Sequence, residues 1–459
     1  MMITRQDIEA FNNREFDELF NKKLTENGDE THVSTGNRLY DLFFMTEYYE
    51  KHLKKAAIGD SDVEKILAMF IRDPRFGLGK RELGRVLLAK AGVSADNVVK
   101  CGRFDDLWKV NADIPEWIDF LLKEVKAGNA LAKKWMPHYA GKNKKTGKVA
   151  KTTLFAAKMR RILGLNKQQY NKLVKVDTVE SKLSAHRNDE INFEKLPSLA
   201  LLKYWARFAT KQKGGKHDFS KRFSEYLDKV KAGKNKMHLS TATVYDIYRN
   251  MDKIDPDIAF DQIKKVSGSW VPVVDTSGSM LDDNDSMGKA LAIGHYLGKT
   301  STYCPDQVVS FSSCPRLIDL GECPVGDGSS QYRNEINAMY TGDYTNTDFG
   351  AVMRLFEGLK TDFPDFIVVL SDMEFDMGSS AASKELLAKW AEEGVKTKLV
   401  WWNLNPRSKT SPQSVRADGN GNLFISGYNP SLLGFLEAGF SMSEFLAALL
   451  TSYSELIGC

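Results

Sequence analysis

At 459 residues the chain is too long for one ordinary domain, and two or three are expected. Its hydrophobic share of 42% and charged share of 27% are those of a soluble globular protein, which excludes a largely disordered chain. No run of about twenty apolar residues occurs, so no transmembrane helix is expected and no membrane partner follows. Met1 to Asn21 mixes charges with apolar positions and lacks the apolar stretch of a secretory signal. Five cysteines, Cys101, Cys304, Cys314, Cys323 and Cys459, are few, odd in number and never spaced as CxxC. That pattern argues against a disulfide framework or a zinc site and for a reducing compartment, the cytoplasm by default.

The net charge of +4 conceals a split. Residues 266–459 hold 13 Lys and Arg against 24 Asp and Glu, a net of −11. Residues 1–265 hold 51 against 36, a net of +15, so an anionic partner is expected for the first part.

Residues 1–265 read as helix after helix. Apolar positions recur at three- and four-residue spacing in Val63, Ile66, Leu67 and Phe70, and again in Trp117, Phe120, Leu121 and Val125. Helix starts are marked by Ser61 before an acidic turn, by Asp113 before Ile114-Pro115-Glu116, and by Asp255-Pro256. Short amphipathic helices cannot bury a face alone and should stack pairwise, although no fixed internal period is present. Two basic segments interrupt them. Gly141 to Lys151 carries five lysines and no acid, and Lys203 to Lys236 interleaves cations with Tyr204, Trp205, Phe208, Phe219, Phe223 and Tyr226.

Near Val266 the pattern changes. Apolar runs at Trp270–Val274, Gln307–Phe311, Phe366–Leu370, Leu399–Trp402 and Leu423–Ile425 alternate with helical patterns through Ala290 and Leu297, at Phe349–Leu359 and at Ala382–Glu393. Strands alternating with helices predict a parallel, doubly wound α/β sheet, with Arg316–Leu320 as an antiparallel edge strand. The expected architecture is therefore an all-α helical-repeat-like domain over 1–265, followed by a Rossmann-like α/β domain over 266–459.

The sharpest motif is Asp275-Thr276-Ser277-Gly278-Ser279-Met280, directly after the first strand. A loop there with one carboxylate and two hydroxyls at alternate positions can turn three oxygens to one point, which suits a hard divalent cation such as Mg²⁺. Asn346-Thr347-Asp348-Phe349 opens a helix and offers a hydroxyl. Val368-Val369-Leu370-Ser371-Asp372 ends a buried strand with a carboxylate at the same sheet edge. Glu374 and Asp376 add carboxylates just beyond, and are expected to be solvated rather than to tune the site.

These three segments, in this order and strand context, resemble the metal-ion-dependent adhesion site of von Willebrand factor A-type domains. The resemblance implies Asp275, Ser277, Ser279, Thr347 and Asp372 as the metal-coordinating set, with direct ligation by Ser277 and Ser279, water often standing between the metal and Asp275 or Asp372, and Asp348 in support. A basic helical part ahead of an A-type domain resembles the Ro family, whose helical-repeat (TROVE) ring binds RNA. It also resembles an uncharacterised group of the same layout in plants, bacteria and phages. That second likeness is carried by Thr35-Gly36-Asn37-Arg38-Leu39-Tyr40-Asp41-Leu42-Phe43-Phe44, by Arg72-Asp73-Pro74-Arg75 through Gly79-Lys80-Arg81, and by Gly102-Arg103-Phe104-Asp105-Asp106-Leu107-Trp108. It admits a phage-borne chain acting in a host cytoplasm.

The RNA-contacting candidates are Lys142, Lys144, Lys145, Lys148, Lys151, Arg160, Arg161, Lys211, Lys213, Lys216, Lys221 and Arg222, whose charges would neutralise phosphates in a salt-dependent, largely sequence-indifferent way. The lysine run at 141–151 can equally be a solvated loop. Tyr204, Trp205 and Phe223 could stack unpaired bases, although their helical spacing suits core packing better. Phe76-Gly77-Leu78-Gly79-Lys80-Arg81 is not a phosphate loop, because Arg81 stands where a hydroxyl is needed and no strand precedes it. His217-Asp218 is a lone pair, and His295 lies mid-helix without a nucleophile elbow. No catalysis is expected. The function expected is RNA binding by the helical part, with the A-type domain bracing it or recruiting a partner. The alternative is a protein-interaction scaffold that uses the metal to bind a partner's carboxylate without nucleic acid.

Overall fold

A computed structural model describes residues 62–74, 79–110, 114–139, 149–211, 219–239, 242–324, 330–340, 346–357, 363–376 and 379–405, with a few shorter stretches and isolated positions besides. The chain separates into two compact units, one comprising Met1–Arg5, His52–Ile191 and Leu446–Cys459, the other Gln6–Lys51 and Asn192–Phe445.

Helices Asp62–Arg72, Arg81–Lys90, Ala95–Cys101, Asp106–Lys109 and Pro115–Lys126 build the core of the first unit. Ile66, Phe70, Leu87, Leu88, Val98, Leu107, Leu121 and Val125 are buried there, each on the apolar stripe of its own helix. Pro115 stands at the first position of its helix, where a missing N–H costs nothing. An ion cluster lies inside this apolar frame. Arg72 and Asp106 are fully buried and meet at 2.6 Å, while Arg85 Nε reaches the other Asp106 oxygen at 2.6 Å. The backbone N–H of Arg103 also donates to Asp106, at 2.8 Å. Gly84 admits this cluster, since a Cβ there would lie 2.7 Å from the Arg72 side chain.

The second unit is built on a six-stranded sheet. In chain order its strands are β1 (Trp270–Asp275), β2 (Gln307–Phe311), β3 (Arg316–Asp319), β4 (Phe366–Ser371), β5 (Lys398–Asn403) and β6 (Leu423–Ser426). They lie in the order β3-β2-β1-β4-β5-β6, all neighbours parallel except the β2–β3 pair. This is a doubly wound order whose direction reverses between β1 and β4, with the edge strand antiparallel as its sequence position suggested. A separate small ribbon pairs Lys22–Leu24, Glu30–His32 and Ser411–Pro412 antiparallel.

One face of the sheet packs Val273, Phe311, Val369 and Trp401 against helices Phe349–Glu357 and Ser379–Glu392. The other face receives helix Ser286–Thr300, in which every residue but Lys289 and Lys299 is buried. Its lack of an amphipathic pattern follows from that position, with sheet on one side and helices on the other. Gly294 lets it approach, since a Cβ would stand 2.3 Å from Val274.

The outer cover of this helix comes from helices Val244–Asn250, Pro256–Gln262 and Gln331–Ala338. Tyr245 Oη donates to Asp285 at 2.7 Å, and the Tyr332 N–H donates to Asp257 at 2.8 Å. The composition change near Val266 therefore does not coincide with the division between compact units. Helices from Ser198 onward belong to the unit of the sheet: Val244–Asn250 and Pro256–Gln262 cover helix Ser286–Thr300, and Ser198–Ala209 and Ser220–Lys231 pack on those two in turn.

Trp205, Phe208, Phe219, Phe223 and Tyr226 are buried around Phe193, with ring centroids 5.1–5.7 Å apart in pairs such as Phe193–Phe223 and Trp205–Phe223. Trp205 and Phe223 are core residues, as their spacing favoured, and Tyr204 is half-buried beside Phe208. No helix among the described residues is long and apolar enough to cross a membrane.

A buried ion pair that loses one partner leaves an uncompensated charge. Asp106→Ala is therefore expected to destabilise the first unit by roughly 3–5 kcal/mol. Asp177→Ala, which breaks the exposed and solvent-screened Arg187–Asp177 pair, should shift stability far less. Urea denaturation of both variants checks this, and equal shifts of the two midpoints would refute it.

Candidate metal centre

In a doubly wound sheet a crevice opens beyond the carboxyl ends of the strands where their order reverses. Strands β1 and β4 border it here, in register with Val274 opposite Leu370. Asp275 closes β1 and Asp372 follows β4, so both carboxylates are delivered to the same rim. Each is buried, at 0% and 1% exposure.

The loop after β1 folds back on Asp275. The Ser277 N–H donates to Asp275 Oδ1 at 2.9 Å, and the Ser277 and Ser279 hydroxyls lie 3.2 Å apart. From β4, Ser371 Oγ donates to Asp275 Oδ2 at 2.6 Å. The Ser279 hydroxyl is hydrogen-bonded to Asp372, which also accepts the Glu374 N–H at 3.3 Å. Asp275, Ser277, Ser279 and Asp372 thus form one connected group of oxygens. Ser277 is buried, whereas Ser279 is exposed and forms the mouth.

Thr347 is buried at 3% exposure and joins through a carboxylate. Its N–H donates to Asp376 Oδ2 at 3.2 Å, and the Asp376 N–H donates back to the Thr347 carbonyl at 3.2 Å. Asp376 acts electrostatically on Asp275 as well. The expectation that Asp376 is merely solvated is corrected: it is half-buried and ties the Thr347 loop to the loop after β4. Glu374 is half-buried too, and its charge bears on Asp372. Asp348 is also corrected. One of its oxygens accepts the Ala351 N–H at 2.9 Å, capping helix Phe349–Glu357, and the other pairs with Arg354 at 3.2 Å, so both serve the helix.

Ser371 is a functional residue that sequence reading passed over, although it stands in the phrase that carries Asp372. Its hydroxyl donates to Asp275 and accepts the Met373 N–H at 3.0 Å. Met373 itself is buried and left-handed, with φ 67°. That conformation costs a side-chain-bearing residue about 1 kcal/mol, and such strain concentrates at functional sites.

The electrostatics disfavour negative charge on both carboxyls. Burial pushes the Asp275 carboxyl upward, and Asp376 adds to it. Burial pushes Asp372 upward too, reinforced by the charge of Asp275. Two buried carboxylates with serine hydroxyls between them make an oxygen-only donor set that fits a hard divalent cation. Among the described residues no three His, Cys, Asp or Glu side chains come together as a metal cluster, so two carboxylates and hydroxyls are what this rim offers. His295 is not part of it: its Nε2 meets Glu335 Oε2 at 2.5 Å within the protein interior.

Of the basic candidates, Lys142, Lys144, Lys145, Lys148, Lys213 and Lys216 lie outside the described residues. Lys151, Arg161, Lys211, Lys221 and Arg222 are exposed. Arg160 is half-buried and donates to Tyr139 Oη at 3.0 Å and to the Leu165 carbonyl at 2.9 Å. Lys151, Arg160 and Arg161 belong to the first unit, and Lys211, Lys221 and Arg222 to the second.

Comparison with known proteins gives two family models, both of domains of unknown function. DUF2828 matches residues 128–275, and DUF7788 matches residues 269–448, starting one residue before β1. Uncharacterized protein L728 of Acanthamoeba polyphaga mimivirus is 25% identical over 500 residues, covering 90% of this chain and 84% of the viral protein. Among solved structures, the Ro (RSR) protein of Deinococcus radiodurans aligns weakly, with a TM-score of 0.37 and 12% identity over 84% of this chain and 86% of that one.

A carboxyl whose pKa is raised on folding takes stability away as pH climbs from its unfolded value, near 3.9, through its folded one. A divalent cation needs the ionised forms and reverses the effect. The gain in Tm on replacing EDTA by Mg²⁺ should therefore grow between about pH 5 and 7.5. Differential scanning fluorimetry at both ends of that range checks it; a gain independent of pH would speak against these carboxylates as ligands. Asp372→Asn should raise Tm in EDTA, by relieving the repulsion, and abolish the Mg²⁺ gain.

Proposed function

We propose that this chain is a non-catalytic binding protein in two parts: a von Willebrand A-type domain that holds Mg²⁺ at the β1–β4 rim, and a basic helical part that binds RNA in a Ro-like division of labour. The observation that carries the reading is the pair of buried carboxylates, Asp275 and Asp372, each pushed toward protonation beside the Ser277 and Ser279 hydroxyls. A cation there would be held by Asp275, Ser277, Ser279 and Asp372, with Thr347 brought in through Asp376. When bound it supplies fixed positive charge and an exchangeable coordination position. The residues around it orient those oxygens and leave the Ser279 side open to solvent.

RNA binding is supported by the charge split, with +15 in residues 1–265 against −11 in the remainder. The non-catalytic reading is supported by His295, the histidine nearest the site in sequence, being engaged by Glu335 rather than by a serine or Asp372. The cytoplasm remains the proposed compartment.

A second reading is favoured by one feature of the rim. Leu281, 62% exposed, stands two residues beyond Ser279, so an apolar contact lies beside the open metal position. A protein partner offering a carboxylate next to an apolar side chain would suit both, without any nucleic acid.

Filter binding of the full chain to RNA across a salt series decides between them. The RNA reading expects measurable affinity at low salt and a log–log slope of roughly −0.7 for each single-strand phosphate contacted. Background binding at low salt would end it. Loss of a captured protein partner in Asp275→Ala, with RNA retention unchanged, would favour the scaffold.

A further inference from the structure

From residue 125 to residue 176 the chain holds twelve lysines and two arginines, with no aspartate or glutamate at all. Almost the whole positive excess of the first 265 residues therefore sits in 52 positions. The other basic stretch, 203–236, is diluted by Asp218, Glu225 and Asp228. A solvated protein surface ordinarily mixes signs, because like charges at one place repel and destabilise the compact state. A stretch of this length without a single carboxylate points to a polyanionic ligand.

The described part of this stretch folds as helices Ala130–Trp135, Lys151–Ile162 and Lys167–Leu173 of the first unit. Lys151 and Lys158 stand seven residues apart, on one side of their helix, and Arg161 follows within a turn. Lys151, Arg161, Lys167 and Lys172 are exposed. Aromatic rings stand among these cations. Trp135 is half-buried, with the Arg103 guanidinium 4.4 Å from its ring centroid and Lys134 Nζ at 5.4 Å. Tyr139 is half-buried as well, with Lys167 Nζ 5.0 Å from its ring, its hydroxyl held by Arg160, and the buried Tyr170 ring against its edge. Pinned rings that keep part of their surface in solvent, each with a cation alongside, pair a stacking platform with a phosphate ligand.

We infer that helices Ala130–Trp135, Lys151–Ile162 and Lys167–Leu173 carry the nucleic-acid interface of this chain, and that their ligand is single-stranded RNA whose unpaired bases stack on Trp135 and Tyr139. The inference rests on the RNA-binding reading above and fixes its place and its ligand class. A duplex would meet the lysines but would offer its bases to neither ring. On helix Ser220–Lys231, by contrast, Arg222 lies 5.5 Å over the Phe193 ring of the aromatic core and Lys231 pairs with Asp255 at 3.6 Å.

The test uses the full chain and fluorescence anisotropy with a labelled oligouridylate, an RNA duplex, and vesicles containing phosphatidylserine. Lys151→Ala with Arg161→Ala removes two exposed charges and should weaken oligouridylate binding about tenfold or more, with a salt slope shallower by about 1.4. Lys229→Ala with Lys231→Ala, two exposed cations of the other basic stretch, should leave it within about twofold. Trp135→Leu keeps an apolar side chain and should weaken binding while leaving the salt slope unchanged, since no phosphate contact is lost. Equal losses from the two double variants would overturn the placement. Tighter binding of the duplex or of the vesicles, or an unaltered Trp135→Leu protein, would overturn single-stranded RNA as the ligand. Failure of the unmodified chain to bind any RNA at low salt would sink the RNA reading itself, a result distinct from each of these.

Discussion

Two buried carboxyls at the ends of neighbouring strands set the terms for the second unit. Asp275 and Asp372 are brought together because β1 and β4 are parallel neighbours in register, and parallel strands end at the same edge. Their burial opposes ionisation, Asp376 adds to that at Asp275, and Asp275 adds to it at Asp372. The hydrogen bonds around them, from Ser371, from the Ser277 backbone and from Glu374, hold the oxygens in place but supply no positive charge. A cation would complement such an arrangement, and the left-handed turn at Met373 stands beside it.

Rigidity behind the rim comes from helix Ser286–Thr300. It starts just after the loop that bears Ser277 and Ser279, and it is buried almost all round. Tyr245 reaches Asp285 at the start of this helix, and Phe260 meets His295 edge-to-face in its middle. Helices upstream of β1 are therefore structural members of the sheet unit, and the loop bearing the serines is braced from the chain that precedes it as well as from the sheet.

Charge is partitioned by unit and by kind of environment. In the first unit the carboxylates Asp105 and Asp106 are consumed internally, by Arg72, Arg85, Arg103 and Lys109. Arg103 extends from that cluster to the Trp135 ring, so the same side chain belongs to the buried ion network and to the edge of the basic surface. Buried acids and surface cations together explain how one unit can be strongly basic outside without repelling itself apart inside.

Much of this was legible from local pattern. The strand runs, the antiparallel edge at Arg316, and the helices at 286–300, 349–357 and 379–392 follow from local composition and spacing, which need no partner to be read. That Asp275, Ser277, Ser279 and Asp372 would meet at one rim was legible too, because strand ends in a doubly wound sheet converge by topology. Tertiary structure alone decided what each polar group faces. Asp376 and Asp348 are both carboxylates in loops beside the rim, yet one ties two loops together and the other caps its own helix. It also decided that the helices from Ser198 to Gln262 belong with the sheet, since an apolar helix face does not declare in sequence which distant surface will cover it. Composition follows the chain, whereas burial follows contacts between residues far apart along it, and only folding brings those contacts into being.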